Sequence, residues 1–387
     1  MDKISWVCGL VGFSLINIVW FETRSLILRQ DTDVVSAEDF SDVSKEPRAC
    51  PNIYYIILDG YVGNDVLTKS LDYDNSSFLE QLAQRGFFVA DQSRSNYWKT
   101  LLSLPSSMNF DYLDDLEKRV GIESGDKKPL REHLANNRVF SFLKRYGYST
   151  VAFASGFRWS ELRDADVYMS EGVWSLNDFS GELVYNMPIA ALIELFTNQS
   201  FQHILHRRRV LYSFEHLPDT LQMQPPIFVF AHIVCPHSPF VFDQTGRPAG
   251  PVRSPADYPE MYVRQLKYVN KRVTELVDEL LANSAQRPII ILQADHGLRW
   301  KLNRDEPKKN TPRIYKECFS ILNAYYLPDY DYSQLYNSIS PVNTFRVIFN
   351  HYFGAEFELV KDESYFSTKA LPYNFINVTA ELNKELK

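Results

Sequence analysis

From Pro51 onwards, apolar runs that end in turn residues recur along the chain. The run NIYYIILDG (52–60) is rich in β-branched and aromatic residues and closes with Asp-Gly, so it predicts a strand that is buried on both faces. The runs STVAFAS (149–155), PIFVFAHI (226–233) and PIIILQADHG (288–297) predict further strands of the same kind. Buried strands that alternate with helical patterns indicate an α/β fold, in which helices flank a mostly parallel central sheet.

Amphipathic segments occupy the intervals between these runs. Apolar residues at helical spacing predict helices over residues 76–86 and 130–148, and a long helix over residues 258–283. Further on, residues 317–331 predict another strand and turn, whereas SPVNTFRVIFNHYFG (340–354) predicts a helix that begins at Ser-Pro and ends at Gly. No internal repeat or low-complexity tract interrupts the pattern, so one α/β domain is expected.

Composition and charge exclude several classes of protein. With 387 residues, of which 45% are hydrophobic, the chain can bury a large core. The net charge of −7 and the lack of a long basic run argue against a nucleic-acid partner. The four cysteines are widely spaced and include no CxxC pair, so they predict neither a zinc knuckle nor a disulfide framework.

The N-terminal segment ISWVCGLVGFSLINIVWF (4–21) carries no charge and has tryptophans near both ends. At about 18 residues it is long enough to cross a bilayer, as a single transmembrane helix or as the last helix of a longer membrane region. A cleaved signal peptide and a buried core helix are the alternatives, but no small-x-small cleavage site follows. We expect residues 1–29 to anchor the protein in the lipid bilayer, residues 30–50 to form a polar linker, and residues 51–387 to form the catalytic domain.

Side chains that can bind metals stand at the carboxyl ends of the predicted strands. Asp59 ends the first strand, His232 and His237 stand at the end of the strand at 226 and just beyond it, and the pair Asp295-His296 ends the strand at 288. Successive loops converge at this edge of a parallel sheet. Carboxylates and histidines brought together there predict a divalent metal site of zinc or manganese type. The alternatives are an ordinary Asp-Gly turn at Asp59 and a hydrogen-bonded core histidine at His296.

Four motifs together resemble a known superfamily. NIYYIILDGY, KTLLSLPSSM, AHIVCPHSPF and IILQADHG occur in this order over roughly residues 51 to 330. In order and spacing they resemble the alkaline phosphatase/sulfatase superfamily, and within it the membrane-anchored phosphoethanolamine transferases and lipoteichoic acid synthases. Those enzymes carry an acidic ligand after the first strand, a nucleophilic threonine, an H-x-x-x-x-H-x-P run and a late Asp-His pair. The resemblance implies a sulfatase-like α/β fold and a metal-dependent enzyme.

The resemblance assigns the metal ligands and the nucleophile residue by residue. Asp59 takes the position of the first acidic ligand, although those transferases usually have Glu there. Asp295 and His296 take the late ligand pair, with zinc or manganese as the expected ion. Thr100 takes the position of the nucleophile, which also contacts the metal. Thr100 is expected at the start of a helix, where unpaired N–H groups and the helix dipole favour a phosphate.

The same resemblance implies residues that contact the substrate. His237 corresponds to the histidine that contacts the transferred group, where it protonates the leaving alcohol or holds the non-bridging oxygens, and His232 to the one before it. The segment GFRWSELRDADVY (156–168) resembles the one that supplies a Trp and an Arg to a glycerophosphate group, which points to Trp159 and Arg158. Lys99 would add positive charge near the phosphate, or would be an ordinary exposed lysine.

Departures from the motifs leave three hypotheses open. The only histidine after ADHG is the distant His351, where those transferases often have a nearer one, and in the run Ser103-Leu-Pro-Ser-Ser107 a serine replaces the arginine that sulfatases need for maturation. The first hypothesis is a phosphotransferase or hydrolase that acts on phosphodiesters of envelope lipids or glycans from the periplasmic or extracellular face of the membrane. The second is a sulfatase that uses Ser103, and the third is a degenerate protein that binds an envelope polymer.

Overall fold

A computed structural model describes residues 50–171 and 200–384 of the chain. A seven-stranded sheet lies at its centre, in the order β2-β7-β6-β1-β5-β3-β4. Neighbours among β6, β1, β5, β3 and β4 pair in parallel, whereas β7 is antiparallel to β6 and β2 is antiparallel to β7. The strands are β1 (Ile53–Leu58), β2 (Phe88–Val89), β3 (Ser149–Phe153), β4 (Val167–Met169), β5 (Ile227–Ile233), β6 (Ile289–Gln293) and β7 (Asn323–Tyr326).

Helices cover both faces of this sheet, and a small antiparallel pair, β8 (Tyr365–Phe366) and β9 (Ile376–Asn377), lies apart from it. The predicted α/β class with a mostly parallel sheet is confirmed. The helices are α1 (Asn64–Leu71), α2 (Ser76–Gln84), α3 (Thr100–Asn109), α4 (Asp114–Val120), α5 (Lys128–Ala135), α6 (Arg138–Arg145), α7 (Phe201–His216), α8 (Tyr258–Asn283), α9 (Pro312–Phe319), α10 (Pro341–Phe353) and α11 (Thr379–Leu382).

Strand β1 shows why the predicted strands are apolar on both faces. It lies between β5 and β6, with Ile53 opposite Phe228 on one side and Ile289 on the other. Side chains of a strand alternate between the two faces of the sheet. Tyr54 therefore packs in the core beneath α1, α2, α7 and α8, and Tyr55 in the core beneath α3, α5, α6 and α10. Because β1, β5 and β6 are adjacent and parallel, their carboxyl ends meet at one edge.

The helix predicted over residues 130–148 is in fact two helices. The chain leaves the first helix at Asn136, and Asn137 starts the second by accepting a hydrogen bond from the backbone N–H of Phe140 at 2.8 Å. An asparagine side chain satisfies an unpaired N–H at a helix start in this way, so it favours a new helix over the continuation of the old one. The predicted helix that ends at Gly354 is present, and Gly354 adopts the left-handed conformation with φ 63°.

The predicted membrane anchor, residues 1–29, lies outside the described residues, as does the linker apart from Cys50. Across residues 50–171 and 200–384, no helix combines the length and apolar character needed to cross a bilayer. The longest helix, α8, is amphipathic and packs its apolar side against the sheet, where Leu266, Val273 and Leu280 are fully buried. The anchor therefore stays a prediction.

Candidate active site

Four buried side chains meet where β1, β5 and β6 end. The Nε2 atom of His232 lies 3.3 Å from Oδ2 of Asp59, and the Nε2 atom of His296 lies 3.2 Å from Oδ1 of the same carboxylate. Asp295 Oδ2 lies 3.6 Å from His296 Nε2. Gly60 follows Asp59 with φ 68°, a left-handed conformation that glycine adopts without strain and that turns the chain away from the sheet. The convergence that the strand pattern predicts is present.

The donor set fits a divalent ion. Ligand atoms of Asp59, His237 and His296 lie within 4.8 Å of one another, and so do those of Asp59, His232 and Asp295. Buried polar atoms are normally hydrogen-bonded. Here Asp59 Oδ1, Asp295 Oδ2 and the Nε2 atoms of His232 and His296 find no hydrogen-bond partner among the described residues. Carboxylate oxygens and imidazole nitrogens are ligands for zinc and manganese, so a cation among these atoms would satisfy all four.

In each histidine of the site, a hydrogen bond at Nδ1 fixes the orientation of the ring and therefore of Nε2. His296 Nδ1 donates to the carbonyl oxygen of Gly297 at 2.8 Å, and His237 Nδ1 donates to the carbonyl oxygen of Ser238. His232 Nδ1 lies 2.7 Å from Ser160 Oγ, which itself donates to the carbonyl oxygen of Phe157 at 3.1 Å. A carbonyl only accepts, so Nδ1 of His296 and of His237 carries the proton, and Nδ1 of His232 carries it when the Ser160 hydroxyl donates to Phe157 and accepts from the imidazole. With the proton on Nδ1, the Nε2 lone pairs of His296 and His232 are available to a metal, whereas Nε2 of His237 accepts a hydrogen bond from Arg299.

The charges of the site suit the same assignment. Burial raises the pKa of Asp59, but His237, His232 and His296 outweigh burial and hold it well below its usual value. For His237, burial is the largest cause and lowers the pKa to about 4; Asp59 opposes this effect and Arg299 adds to it. A charged carboxylate beside a neutral imidazole is the protonation state that metal ligands require.

Thr100 and Ser103 differ sharply in their surroundings. Thr100 is the first residue of α3, and it lines a cavity of about 360 Å³ together with Asp59 and His237. Ser103 stands one turn further on, away from the cavity lining, and its hydroxyl donates to the carbonyl oxygen of Tyr97 at 2.9 Å. Thr100 therefore borders the cavity that also contains Asp59, whereas the Ser103 hydroxyl is engaged in holding the turn before α3.

The predicted substrate contacts separate into three groups. Lys99 and Trp159 line the cavity, and Lys99 is only 8% exposed, so the alternative of an ordinary exposed lysine is wrong. Arg158 is exposed and lies over the Trp159 ring at 4.7 Å from its centroid, outside the cavity lining. His232 also lies outside the lining, and its Nε2 atom faces Asp59. The structure therefore groups His232 with the candidate metal ligands and not with the substrate contacts.

Several cavity residues were not predicted from the sequence. Arg299 Nη2 donates to His237 Nε2 at 2.6 Å, and it follows the ADHG motif by two residues, so its proximity to that motif was the one available signal. Arg304, Lys127 and Lys369 line the same cavity from separate loops, with no motif to connect them. His351, the only histidine after the motif, instead bonds Asp329 at 2.6 Å and does not line the cavity.

Comparisons with known proteins agree with this architecture. The family model for sulfatases matches residues 51–338, whereas none of the curated proteins matches the sequence. The C-terminal periplasmic domain of EcEptC from Escherichia coli superposes with a TM-score of 0.54 at 12% identity, covering 87% of this chain and 94% of that one. The same domain in complex with Zn gives 0.55 at 12% identity, with the same coverage. Phosphoethanolamine transferase EptC from Campylobacter jejuni (its C-terminal periplasmic domain) gives 0.50 at 13% identity, covering 78% and 89%. At such identities the likeness concerns the fold.

Proposed function

Because the chain belongs to the sulfatase family, we propose that it is a metal-dependent phosphotransferase or hydrolase that cleaves phosphodiesters with Thr100 as its nucleophile. One observation carries the proposal. Thr100 begins a helix and lines the same cavity as Asp59 and His237, whereas the hydroxyl of the neighbouring Ser103 donates to the backbone. The name of the C. jejuni protein of similar fold, a phosphoethanolamine transferase, supports the same class of reaction.

Residues of this chain account for most steps of the proposed phosphoryl transfer. A divalent ion held by Asp59, Asp295 and His296, with His232 and Thr100, would polarise the phosphoryl group and make the threonine alkoxide accessible. Thr100 Oγ1 releases its proton to solvent and forms a bond to phosphorus as the bond to the leaving alcohol breaks, and the leaving alkoxide takes up a proton from solvent. Water or an acceptor hydroxyl then attacks phosphorus, which breaks the threonine ester and regenerates the hydroxyl. The first N–H groups of α3 favour the phosphate charge.

His237 has a supporting role in this proposal. Its Nε2 atom accepts a hydrogen bond from Arg299, and its pKa is lowered to about 4, first by burial. A neutral imidazole with an occupied Nε2 has no proton to give from that atom. Since Nδ1 donates to Ser238, His237 has no free donor for either role that the resemblance implies, and we assign it to orienting the guanidinium of Arg299, which can donate to the non-bridging oxygens. Burial is the main cause that lowers the pKa of Lys99, also in the cavity lining, to about 7, and a bound phosphate would favour its charged form beside Thr100.

The place of action is proposed from the sequence. We assign residues 1–29 to a membrane anchor, residues 30–50 to a linker and residues 51–387 to a catalytic domain on the periplasmic or extracellular side. The substrate would then be a membrane lipid or an envelope glycan within reach of the anchor. Uncharged residues 4–21 support this assignment, and the E. coli and C. jejuni proteins of similar fold are described as periplasmic domains.

Replacement of the two hydroxyls tests the reaction. Thr100→Ala should reduce turnover of a chromogenic phosphodiester by several orders of magnitude, roughly the 10⁴-fold to 10⁶-fold seen when a covalent nucleophile is removed. Ser103→Ala, at an equally buried position, should have a small effect, since no proposed step uses that hydroxyl. Mass spectrometry of the peptide should find phosphate on Thr100 after reaction with substrate.

The second candidate function, a sulfuric ester hydrolase, predicts the opposite order. The match to the sulfatase family model is the observation that supports this second candidate. It would require turnover of an aryl sulfate, an aldehyde formed from Ser103, and loss of activity in Ser103→Ala. A fully active Thr100→Ala enzyme would overturn the proposal. A protein that binds zinc but turns over neither ester would favour the non-catalytic hypothesis.

A further inference from the structure

The charged side chains that line the cavity beside Thr100 are mostly positive. Among the residues that the structure describes, the cavity lining contains a single acidic residue, Asp59, which belongs to the candidate metal site, and six lysines or arginines. Two tryptophans, Trp98 and Trp159, form apolar parts of the wall. A cavity with low-dielectric walls and charges of one sign attracts ligands of the opposite sign. The six cationic residues are Lys99, Lys127, Arg209, Arg299, Arg304 and Lys369.

These cations extend from the interior of the cavity to its opening. Lys99 is buried beside Thr100, Lys127 and Arg299 are half-buried, and Arg304 and Lys369 are exposed. The site of the transferred group therefore has Lys99 and Arg299 close to it, and a second set of charges remains near solvent. We define this second set, Lys127, Arg304 and Lys369, as the rim cluster.

The described acidic residues do not neutralise the rim cluster. Within residues 50–171 and 200–384, none of its three members forms an ion pair with an Asp or Glu. The positive charges of the cavity also repel one another. Burial is the largest cause that lowers the pKa of Arg304, and Arg299 adds to it. Burial likewise lowers the pKa of Lys99 most, and Lys127 and Arg299 add to it. Like charges held together cost free energy, and a bound anion would offset that cost.

His206 on the same cavity wall provides an independent observation. It is 8% exposed, and its Nε2 atom has no hydrogen-bond partner among the described residues. Burial, assisted by Arg209, lowers its pKa to about 3, so the imidazole is neutral at ordinary pH. A buried polar atom without a hydrogen-bond partner lowers the stability of the fold, unless a bound ligand supplies that partner. A neutral histidine can donate one hydrogen bond to an anion without adding charge of its own.

We propose that the substrate carries a second anionic group, a phosphate or a sulfate, in addition to the ester that reacts, and that the rim cluster binds this group. The inference rests on the proposed function, because it places the reacting ester at Thr100. The same surface disfavours an ammonium group at that position, since the described part of the cavity lining offers no carboxylate besides Asp59. The enzyme should therefore select polyanionic esters over zwitterionic ones.

Three chromogenic esters of one series test this selectivity. Each is a p-nitrophenyl phosphodiester of the same three-carbon alcohol, which ends in a phosphate, a hydroxyl or an ammonium group. The native enzyme should show kcat/KM in the order phosphate, hydroxyl, ammonium, with steps of roughly threefold to tenfold, the scale of partly exposed charge pairs. The preference should shrink as salt is added. Equal kcat/KM for all three esters, or a preference for the ammonium ester, would overturn the proposal.

A matched pair of variants locates the effect. Lys127→Met with Lys369→Met removes two rim charges, whereas Lys128→Met with Lys308→Met removes two exposed lysines that do not line the cavity. Both double variants change the net charge equally. The preference for the phosphate ester should fall to about onefold to twofold in the first pair and stay near the native value in the second. An equal fall in both would mean a long-range charge effect and no rim site.

Failure of the proposed reaction can be distinguished from failure of the rim site. If none of the three esters turns over, the proposed function fails, and calorimetric binding of the phosphate-terminated ester against the ammonium-terminated one still decides the preference of the cavity. Glycerol 3-phosphate and glucose 6-phosphate, used as competitors, distinguish a lipid headgroup from a sugar phosphate as the source of the anion. If neither competes with the phosphate-terminated ester, the rim site is refuted.

Discussion

Ser160 offers the sharpest test of the candidate metal site, because it is expected to act on the metal only through His232. Its Oγ atom lies 2.7 Å from His232 Nδ1, and the residue is fully buried. The hydroxyl keeps the proton on Nδ1 and thereby directs the Nε2 lone pair of His232 towards Asp59. Ser160→Ala removes this bond without adding volume. The imidazole is then free to change tautomer or orientation.

The expected magnitude follows from this geometry. Loss of a hydrogen bond behind a metal-ligating histidine costs about 10-fold to 100-fold in metal affinity, which corresponds to about 1.4–2.7 kcal/mol. The variant also leaves a buried N–H of His232 without a partner, which lowers the free energy of unfolding by about 1–3 kcal/mol. The loss should be larger in the presence of zinc than in its absence, because only the loaded protein depends on the direction of Nε2.

Two measurements on a matched pair separate these effects. Zinc affinity is measured by competition with a chromogenic chelator, and the free energy of unfolding by urea titration with and without zinc. Ser103→Ala is the control, since that hydroxyl is also buried and donates to a carbonyl, at 2.9 Å from Tyr97 O. It should lower stability by about 1 kcal/mol and leave zinc affinity unchanged. Native zinc affinity in Ser160→Ala would refute the reasoning, as would an equal loss in the control.

Three further predictions concern the ligands, the pH dependence and the domain boundary. Asp295→Ala and His296→Ala should each abolish binding of zinc or manganese and turnover while circular dichroism stays native; a variant that keeps both metal and activity would contradict the ligand assignment. His206 has its pKa lowered from 6.5 to about 3, so the unfolded chain binds its proton first and stability should fall as pH decreases through that window. His206→Gln should make this fall shallower in urea titrations at several pH values, and a slope equal to that of the native protein would refute the shift. A protein that begins at Pro51 should be soluble and act on a small phosphodiester, with lower efficiency on lipid substrates because the anchor no longer supplies proximity; aggregation would show that the boundary is wrong.

The family and the central sheet could be predicted from the sequence. The motif resemblance is confirmed at the level of the family, and the match extends over residues 51–338. The strand at 52–60 was predicted from a continuous apolar run closed by Asp-Gly, and the helix Tyr258–Asn283 from apolar residues at helical spacing, since burial on two faces or on one leaves these patterns in the sequence. The break at Asn137 was missed, because one capping side chain outweighed a helical pattern that continues on both sides of it.

The sequence by itself determined which side chains stand at the strand ends, because Asp59 and Asp295 directly follow apolar runs whose parallel pairing brings their carboxyl ends together. Only the tertiary structure decided what surrounds them. Ser160 reaches His232 from 72 positions away, and the rim cluster of Lys127, Arg304 and Lys369 comes from separate loops. Loops carry no periodic pattern, and the direction of a side chain depends on the packing around it, so such contacts leave no signal in the order of the residues.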